Sequence, residues 1–213
     1  MMDWRVDPKT STWPRRHVQA FADIRPLLAP PADGRPLEVA DVGPGLAVKH
    51  LGRLAARTTL LQDIFRRIET GVRRVPMPDA FYENYETHEL VEALVGLPFR
   101  LTLIDINPRV VRVVRGSLEE GHAVEGVIAD LGVENPPALT PLRGTFDLVV
   151  AFAVVARIPR PLADTALGNI RSLVKPGGLL VGSAAFAAPD CVRIADGQNV
   201  FRKVAPAGSA AGA

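Results

Sequence analysis

The strongest constraint on the fold is a regular alternation of short apolar segments with longer segments of helical periodicity. The strand-like segments are 36–42, 99–105, 122–130, 146–152 and 179–185. Helical patterns lie between most of them, and Asn107-Pro108 is a good helix start because Asn can cap a helix and Pro fits its first position. The alternation predicts an α/β domain with a doubly wound, mostly parallel sheet and helices on both faces.

Length and composition favour a single globular unit. The chain has 213 residues, 47% of them hydrophobic. We therefore expect one domain over residues 1–204, followed by a disordered tail over 205–213. The apolar runs are too short to cross a membrane and the N-terminus lacks the apolar core of a signal peptide, so a cytoplasmic protein is expected.

Charge and cysteine content narrow the function classes. A net charge of +2 and only 6% aromatic residues give no indication of a nucleic-acid partner. The single cysteine, Cys191, excludes an internal disulfide and a multi-cysteine zinc site. No metal site is predicted.

Acidic residues end three successive predicted strands, namely Asp41, Asp105 and Asp130. In an open parallel sheet, ligands bind beyond the carboxyl ends of the strands, where these side chains would converge. After the first acid, Gly43 and Gly45 would let the backbone approach a ligand without a clash from Cβ atoms. Each acid could also be a turn former, but their joint placement favours one binding pocket.

The glycine turn argues against a dinucleotide site. The dinucleotide pattern G-x-G-x-x-G would need a glycine at position 48, where this chain has Val48. A bulky residue there opposes the close helix contact that a pyrophosphate turn requires. The turn fits D/E-x-G-x-G-x-G instead, with Ala47 in place of the last glycine.

Five segments in order carry a family resemblance: VADVGPGLA, LTLIDINP, VIADLG, FDLVVAFAVVARIPRP and LVKPGGLLVGS. On these segments, roughly residues 37–185, the chain resembles the class I, Rossmann-like, S-adenosylmethionine-dependent methyltransferases. The resemblance implies S-adenosylmethionine as cofactor and methyl transfer as the reaction. Such a reaction requires mainly that the nucleophile be positioned against a sulfonium methyl group and that water be excluded.

The resemblance also implies roles for individual residues. Asp41, with Gly43, Pro44 and Gly45 of the glycine turn, would hold the amino-acid part of the cofactor. Asp105 would take the ribose, Ile106 would pack against the adenine, and Asp130 and Leu131 would meet the adenine ring. Ala151 and Phe152, after the fourth strand, would lie near the methyl donor.

A long interval after the glycine turn departs from the family pattern. Gly43 and Asp105 are 62 residues apart, against about 20 for a ribose-binding acid in an ordinary βαβ unit. We expect helical patterns over 46–72 and 79–95 and a helical insertion within 57–98, placed where it could cap the pocket. Its polar and aromatic cluster comprises Tyr82, Tyr85, Glu86, His88 and Glu89. A lid or dimer face is one interpretation of this cluster, and acceptor binding by Tyr85 or His88 is the other.

Two further departures concern the acceptor side and the C-terminus. Arg157 stands where many relatives have His, and it could bind an acidic acceptor but cannot act as a general base. Only about 20 residues follow the fifth strand before the tail, which leaves little room for a helix and the usual antiparallel strand pair. We therefore expect an edge that is trimmed or completed by another subunit.

These features lead to two functional hypotheses. The first is a methyltransferase for a small organic acceptor, with O- or N-methylation open and no catalytic residue assigned. Residues 151–154 are apolar and lack an Asn-Pro-Pro-Tyr motif, which argues against a flipped base as acceptor. The second is a methyltransferase-like binding or partner subunit without catalysis. A homo-oligomer is compatible with both hypotheses.

Overall fold

The computed structural model describes residues 13–45, 47–48, 82–83, 85–118, 122–152, 154–194 and 199–204. The predicted tail 205–213 and most of the helix predicted over 46–72 lie outside these ranges. Among the parts of the chain that the structure describes, no helix is long and apolar enough to cross a membrane.

Five parallel strands form the centre of the sheet: β1 (Leu37–Val42), β4 (Phe99–Asp105), β5 (Val124–Ile128), β6 (Phe146–Val150) and β7 (Val174–Val181). Their spatial order is β5-β4-β1-β6-β7. The strand order therefore reverses at β1, which is the switch point where doubly wound sheets bind ligands. The predicted α/β fold with a mostly parallel sheet is confirmed.

Strand β7 begins earlier than predicted. We expected a tight turn over 175–178 and a strand from 179, but the strand starts at Val174. Phe146 lies opposite Val174, whereas Leu148 lies opposite Leu179, so the Lys-Pro-Gly-Gly segment bulges out of the ladder. A bulge of this kind uses turn-forming residues without ending the strand.

Helices cover both faces of the sheet. One face carries α1 (Trp13–Ile24), α2 (Tyr85–Ala93) and α3 (Pro108–Leu118), and α4 (Arg160–Leu173) packs on the other. On the first face Phe21, Leu90 and Val114 are buried against strand residues. On the second, Ile170 and Leu173 are buried in the same way. Alternate residues of each strand thus point into one of two apolar layers.

The C-terminal edge differs from the expectation of a missing strand pair. Strand β9 (Val200–Lys203) pairs antiparallel with β7, and the three-residue β8 (Cys191–Arg193) pairs antiparallel with β9. The antiparallel pair is therefore present within this chain. It fits into few residues because the preceding helix is reduced to one short turn, Ala184–Phe186.

The long interval after the glycine turn is organised by a small two-stranded ladder. Strand β2 (Ala47–Val48) pairs antiparallel with β3 (Tyr82–Glu83), and α2 follows directly. Ala47 thus begins a strand rather than the helix predicted from residue 46. Helix α2 packs in the core through Leu90. The bounds of 57–98 for the insertion stay a prediction. Residues 49–81, which include the rest of the predicted cap, lie outside the described residues.

An ion-pair cluster closes the opposite edge of the sheet, where the parallel strands begin. Asp147 accepts hydrogen bonds from Arg35 Nη1 at 2.8 Å and Nη2 at 3.2 Å and from the Glu38 backbone N–H at 2.9 Å, and it also pairs with Lys175. Burial raises the pKa of Asp147, but these hydrogen bonds outweigh that effect and hold it below its usual value.

Candidate functional site

The three predicted acids lie at the carboxyl edge of the parallel strands. Val42 of β1 pairs with Ile104 of β4, so Asp105 is the next residue along the neighbouring strand. Asp105 pairs with Ile128, the last residue of β5, and Asp130 follows two residues later. Parallel pairing therefore brings the three acids to one edge, as the sequence predicts.

Asp41 is the most deeply buried of these acids. Its side chain is fully buried, and its Oδ2 accepts a 2.5 Å hydrogen bond from the hydroxyl of Thr87 in the first turn of α2. Its Oδ1 is also buried and has no hydrogen-bond partner among the described residues. A buried carboxylate oxygen without a donor is costly, so this atom indicates the position of a polar ligand group.

Burial raises the pKa of Asp41 to about 7, and the nearby Asp105 adds to this effect while the Thr87 hydrogen bond opposes it. Burial, together with Asp41 and Glu89, also raises the pKa of Glu86 well above its usual value, and the Phe152 backbone N–H opposes this by donating to the Glu86 carboxyl. Several carboxyls thus share a poorly solvated region where a cation would relieve their repulsion.

The glycine turn brings backbone atoms into the same region. Gly43 continues the ladder by donating its N–H to Ile104 O at 2.8 Å, and its φ is +67°. A Cβ on Gly43 would lie 2.6 Å from Val154 Cγ2, so only glycine fits there. Gly45 also has a positive φ, +65°, but a Cβ there would meet only the Gly43 oxygen at 3.9 Å. Pro44 between them is buried.

Asp105 has the position expected of a ribose-binding acid. Its Oδ1 accepts the Asn107 backbone N–H at 2.7 Å, which fixes the side chain at the start of α3. Burial raises its pKa, and hydrogen bonds from the Asn107 and Ile106 backbone N–H groups oppose this shift. Ile106 is 42% exposed, so it offers an apolar surface beside the acid.

The end of β5 differs from the other two strand ends because its acid is exposed. Asp130 is exposed, and its Oδ1 accepts the Gly132 N–H at 2.8 Å, as in a turn closed by an Asp side chain. Leu131 packs its side chain in the core, and its carbonyl accepts a 2.9 Å hydrogen bond from Asn169 Nδ2. An adenine contact at Leu131 would therefore use its backbone N–H rather than its side chain.

An apolar segment after β6 lies over the glycine turn. Ala151 is fully buried, and the half-buried ring of Phe152 packs edge-to-face on Phe21 of α1, with ring centroids 5.7 Å apart. Val154 approaches Gly43 as described above. The Phe152 N–H bond to Glu86 ties this segment to α2.

The three residues predicted to bind the acceptor are Tyr85, His88 and Arg157. The Tyr85 side chain lies outside the described atoms. His88 is directed to α3, because its Nε2 lies 3.2 Å from Ser117 Oγ. The Ser117 hydroxyl donates to Val114 O at 2.7 Å, so it accepts from a protonated Nε2 of His88. Arg157 is exposed in the short turn Val155–Arg157.

Sequence reasoning missed two residues that touch the candidate site. Thr87 bonds to Asp41 across 46 positions of sequence, and Val154 packs on Gly43. Glu86 was noted only as one member of a polar cluster. The helical pattern predicted over 79–95 places Thr87 within a helix, but no local signal shows that this helix lies against the end of β1.

Comparisons with known proteins agree with this geometry. The model of a family described as a methyltransferase domain matches residues 85–180. The citrinin polyketide synthase CMeT domain superposes with a TM-score of 0.51 and 15% identity, covering 80% of this chain and 34% of that one. Residues 85–180 therefore match a methyltransferase domain, and the chain has the Rossmann-like fold that this solved structure also has.

Another solved structure superposes on this chain with a lower TM-score. The N-methyltransferase NodS from Bradyrhizobium japonicum WM9, in complex with S-adenosyl-L-homocysteine, matches with a TM-score of 0.47 and 18% identity, covering 84% of this chain and 64% of that one. The chain spans between 34% and 64% of the length of these two structures. A search of curated proteins found no significant match.

The residues at this edge of the sheet are chemically compatible with S-adenosylmethionine, the cofactor that the sequence resemblance implies. Asp41 offers a buried carboxylate oxygen without a partner among the described residues, which suits the ammonium group of the donor. Gly45 has room for a Cβ, and Asp105 and Ile106 present a carboxylate beside an apolar surface, which suits a ribose and an adenine. In this structure Val154 lies against Gly43, so the donor would bind on the Gly45 side of the turn.

Proposed function

We propose that the protein is an S-adenosylmethionine-dependent methyltransferase that acts on a small organic acceptor at an oxygen or nitrogen atom. The observation that carries the proposal is the juxtaposition of the Asp41 Oδ1 atom, the glycine turn with room for a Cβ at Gly45 and the Asp105 carboxylate at the strand switch point. These groups match an ammonium group and a ribose. The family model covering 85–180 supports the same reaction class.

The residues of the chain bind and orient rather than transfer protons. Bound S-adenosylmethionine supplies a sulfonium methyl group that is open to in-line attack. Asp41 and Asp105 hold the two polar ends of this ligand, and Ile106 packs on its base. Ala151, Phe152 and Val154 keep water away from the reacting atoms, because this segment is apolar and half-buried or buried.

The acceptor is inferred from the same apolar segment. Neither Phe152 nor Val154 offers a side-chain hydrogen-bond partner, so a flat, largely apolar molecule suits this region better than a base with amino groups. Arg157 is exposed at the end of the segment and suits a carboxylate on the acceptor. A change of Arg157 would accordingly alter KM for the acceptor and leave donor affinity unchanged.

Calorimetry with S-adenosylmethionine and S-adenosylhomocysteine tests donor binding. We expect Asp105→Ala to weaken binding by at least about tenfold, the typical value of one charge-assisted hydrogen bond. The matched control is Asp164→Ala, which removes an exposed acid on α4. Equal affinity in wild type and Asp105→Ala would refute the assigned ribose site.

Turnover across a panel of acceptors decides between the two functional hypotheses. Release of S-adenosylhomocysteine with an acceptor present establishes the enzyme. Tight donor binding without release for any acceptor would favour a binding or partner subunit. The packing of Val154 on Gly43 favours that second hypothesis, because it leaves less room beside the glycine turn.

A further inference from the structure

Thr87 binds one of the two carboxyl oxygens of Asp41 and not the other. Thr87 donates to Oδ2 at 2.5 Å, and both side chains are completely buried. The other oxygen, Oδ1, is buried without a partner among the described residues. Because Oδ2 is held, the carboxyl group cannot rotate freely, and the direction of Oδ1 is fixed in the cofactor-free protein.

We propose that Thr87 is a positioning residue that aims Asp41 Oδ1 at the ammonium group of the methyl donor, and that donor binding requires Asp41 to lose its proton. This inference rests on the proposed function. It adds a residue of α2 to the donor site and makes donor affinity depend on pH in the neutral range.

The sign of this dependence follows from the groups that face Asp41. Burial raises its pKa to about 7, Asp105 on β4 adds to this, and the Thr87 hydrogen bond opposes it. Glu86 interacts with Asp41 from α2, and Glu89 interacts with Glu86. An ammonium group binds the ionised carboxylate, so donor affinity rises as pH increases through about 7 and levels off above it.

Thr87 also affects the pKa directly. Its hydroxyl stabilises the ionised form of Asp41, so its removal raises the pKa of Asp41 further. Thr87→Val would therefore weaken donor binding several-fold at pH 6, where most Asp41 is protonated, and much less at pH 8.5. A purely structural role of Thr87 would weaken binding by the same factor at every pH.

The first experiment uses the wild-type protein. Calorimetry with S-adenosylhomocysteine, in buffers of different ionisation enthalpy, is expected to show release of nearly one proton at pH 6 and almost none at pH 8.5. The control ligand is 5′-methylthioadenosine, which lacks the ammonium and carboxylate groups and reports only on the Asp105 and Asp130 side of the site. It should bind without this proton release.

The second experiment compares three variants over pH 6–8.5. Thr87→Ser keeps the hydroxyl and should retain the wild-type profile, whereas Thr87→Val should move it to higher pH. Thr102→Val is the matched control, because Thr102 is a buried threonine of β4 on the other face of the sheet. It should leave the profile unchanged.

The outcomes separate this inference from the proposed function. Absence of S-adenosylhomocysteine binding at every pH would overturn the proposed function, and the inference with it. Binding without proton release would overturn the inference alone. So would a Thr87→Val profile parallel to that of wild type. If Thr87→Val does not fold, the proton release of the wild-type protein still decides.

Discussion

Asp147 and Asp41 are buried aspartates at the two opposite edges of the parallel sheet, and their environments differ in charge. Asp147, where β6 begins, faces Arg35 and Lys175 and has a lowered pKa. Asp41, where β1 ends, faces Thr87 and other carboxyls and has a raised pKa. Both side chains are nearly or fully buried. The comparison shows that burial alone does not determine the direction of a pKa shift, because hydrogen bonds from neighbouring cations reverse its effect at Asp147.

The largest effect on stability is expected at the edge that holds Asp147, where the parallel strands begin. Asp147→Ala leaves two cations without their shared partner, which should lower the free energy of unfolding by about 2 kcal/mol. This is less than for a fully enclosed pair, because the Arg35 and Lys175 side chains are 35% and 32% exposed. Urea unfolding measures the loss. Donor affinity of the folded protein should not change, and a large loss of affinity would break the distinction between the edges.

The second prediction is an increase in the free energy of unfolding. Asp41→Asn removes a carboxylate that is costly to ionise, so the cofactor-free protein should gain on the order of 1 kcal/mol at pH 8. Donor affinity should fall at least about tenfold in the same variant, because an amide cannot pair with an ammonium group as a charge. Thermal unfolding with and without S-adenosylhomocysteine measures both changes. A variant less stable than wild type at pH 8 would contradict this assignment.

The pH windows of the two acids sharpen the comparison further. The pKa of Asp41 rises from 3.8 to about 7 on folding, so its ionisation costs stability progressively between pH 4 and pH 7. The gain in Asp41→Asn should grow over that interval and level off above it. The pKa of Asp147 is lowered, so its contribution is complete above its usual pKa and is lost as pH falls below about 4. Unfolding curves at several pH values separate the two windows.

The smallest effect compares a glycine at each edge. Gly45 (φ +65°) and Gly144 (φ +66°) have the same backbone conformation and room for a Cβ. Alanine at either position should cost about 1 kcal/mol of stability, because L residues are disfavoured there. Only Gly45→Ala should weaken donor binding, by a few-fold. Equal donor affinity in the two variants would show that the donor does not approach the turn at Gly45.

The predictable features are those with a local signal. Hydrophobic periodicity placed the five parallel strands, and the end of each strand placed Asp41, Asp105 and Asp130 at one edge, because parallel strands align their carboxyl ends. The bulge in β7 and the strand β8 escaped prediction, since proline and glycine in 175–178 have the same signature in a turn and in a bulge, and β8 has only three residues.

The contacts between distant segments could not be predicted in the same way. Thr87 and Asp41 are 46 residues apart, and their contact depends on where α2 packs rather than on its own pattern. The pairing of Arg35 with Asp147 spans 112 residues. Before the structure is known, Asp147 and Asp41 are both acids in apolar strands, and only the neighbouring strands and helices distinguish an ion pair from a donor site.

The ladder of β2 and β3 makes the length of the intervening segment independent of the rest of the domain. Val48 and Tyr82 lie opposite each other in antiparallel strands, a geometry that a two-residue turn can also close. Replacing the 33 residues between them by a two-residue turn would reduce the Gly43-to-Asp105 interval from 62 to 31 residues without displacing a sheet strand. Segments of other lengths or sequences can therefore be exchanged at this position, as cassettes inserted beside the binding edge of an unchanged sheet.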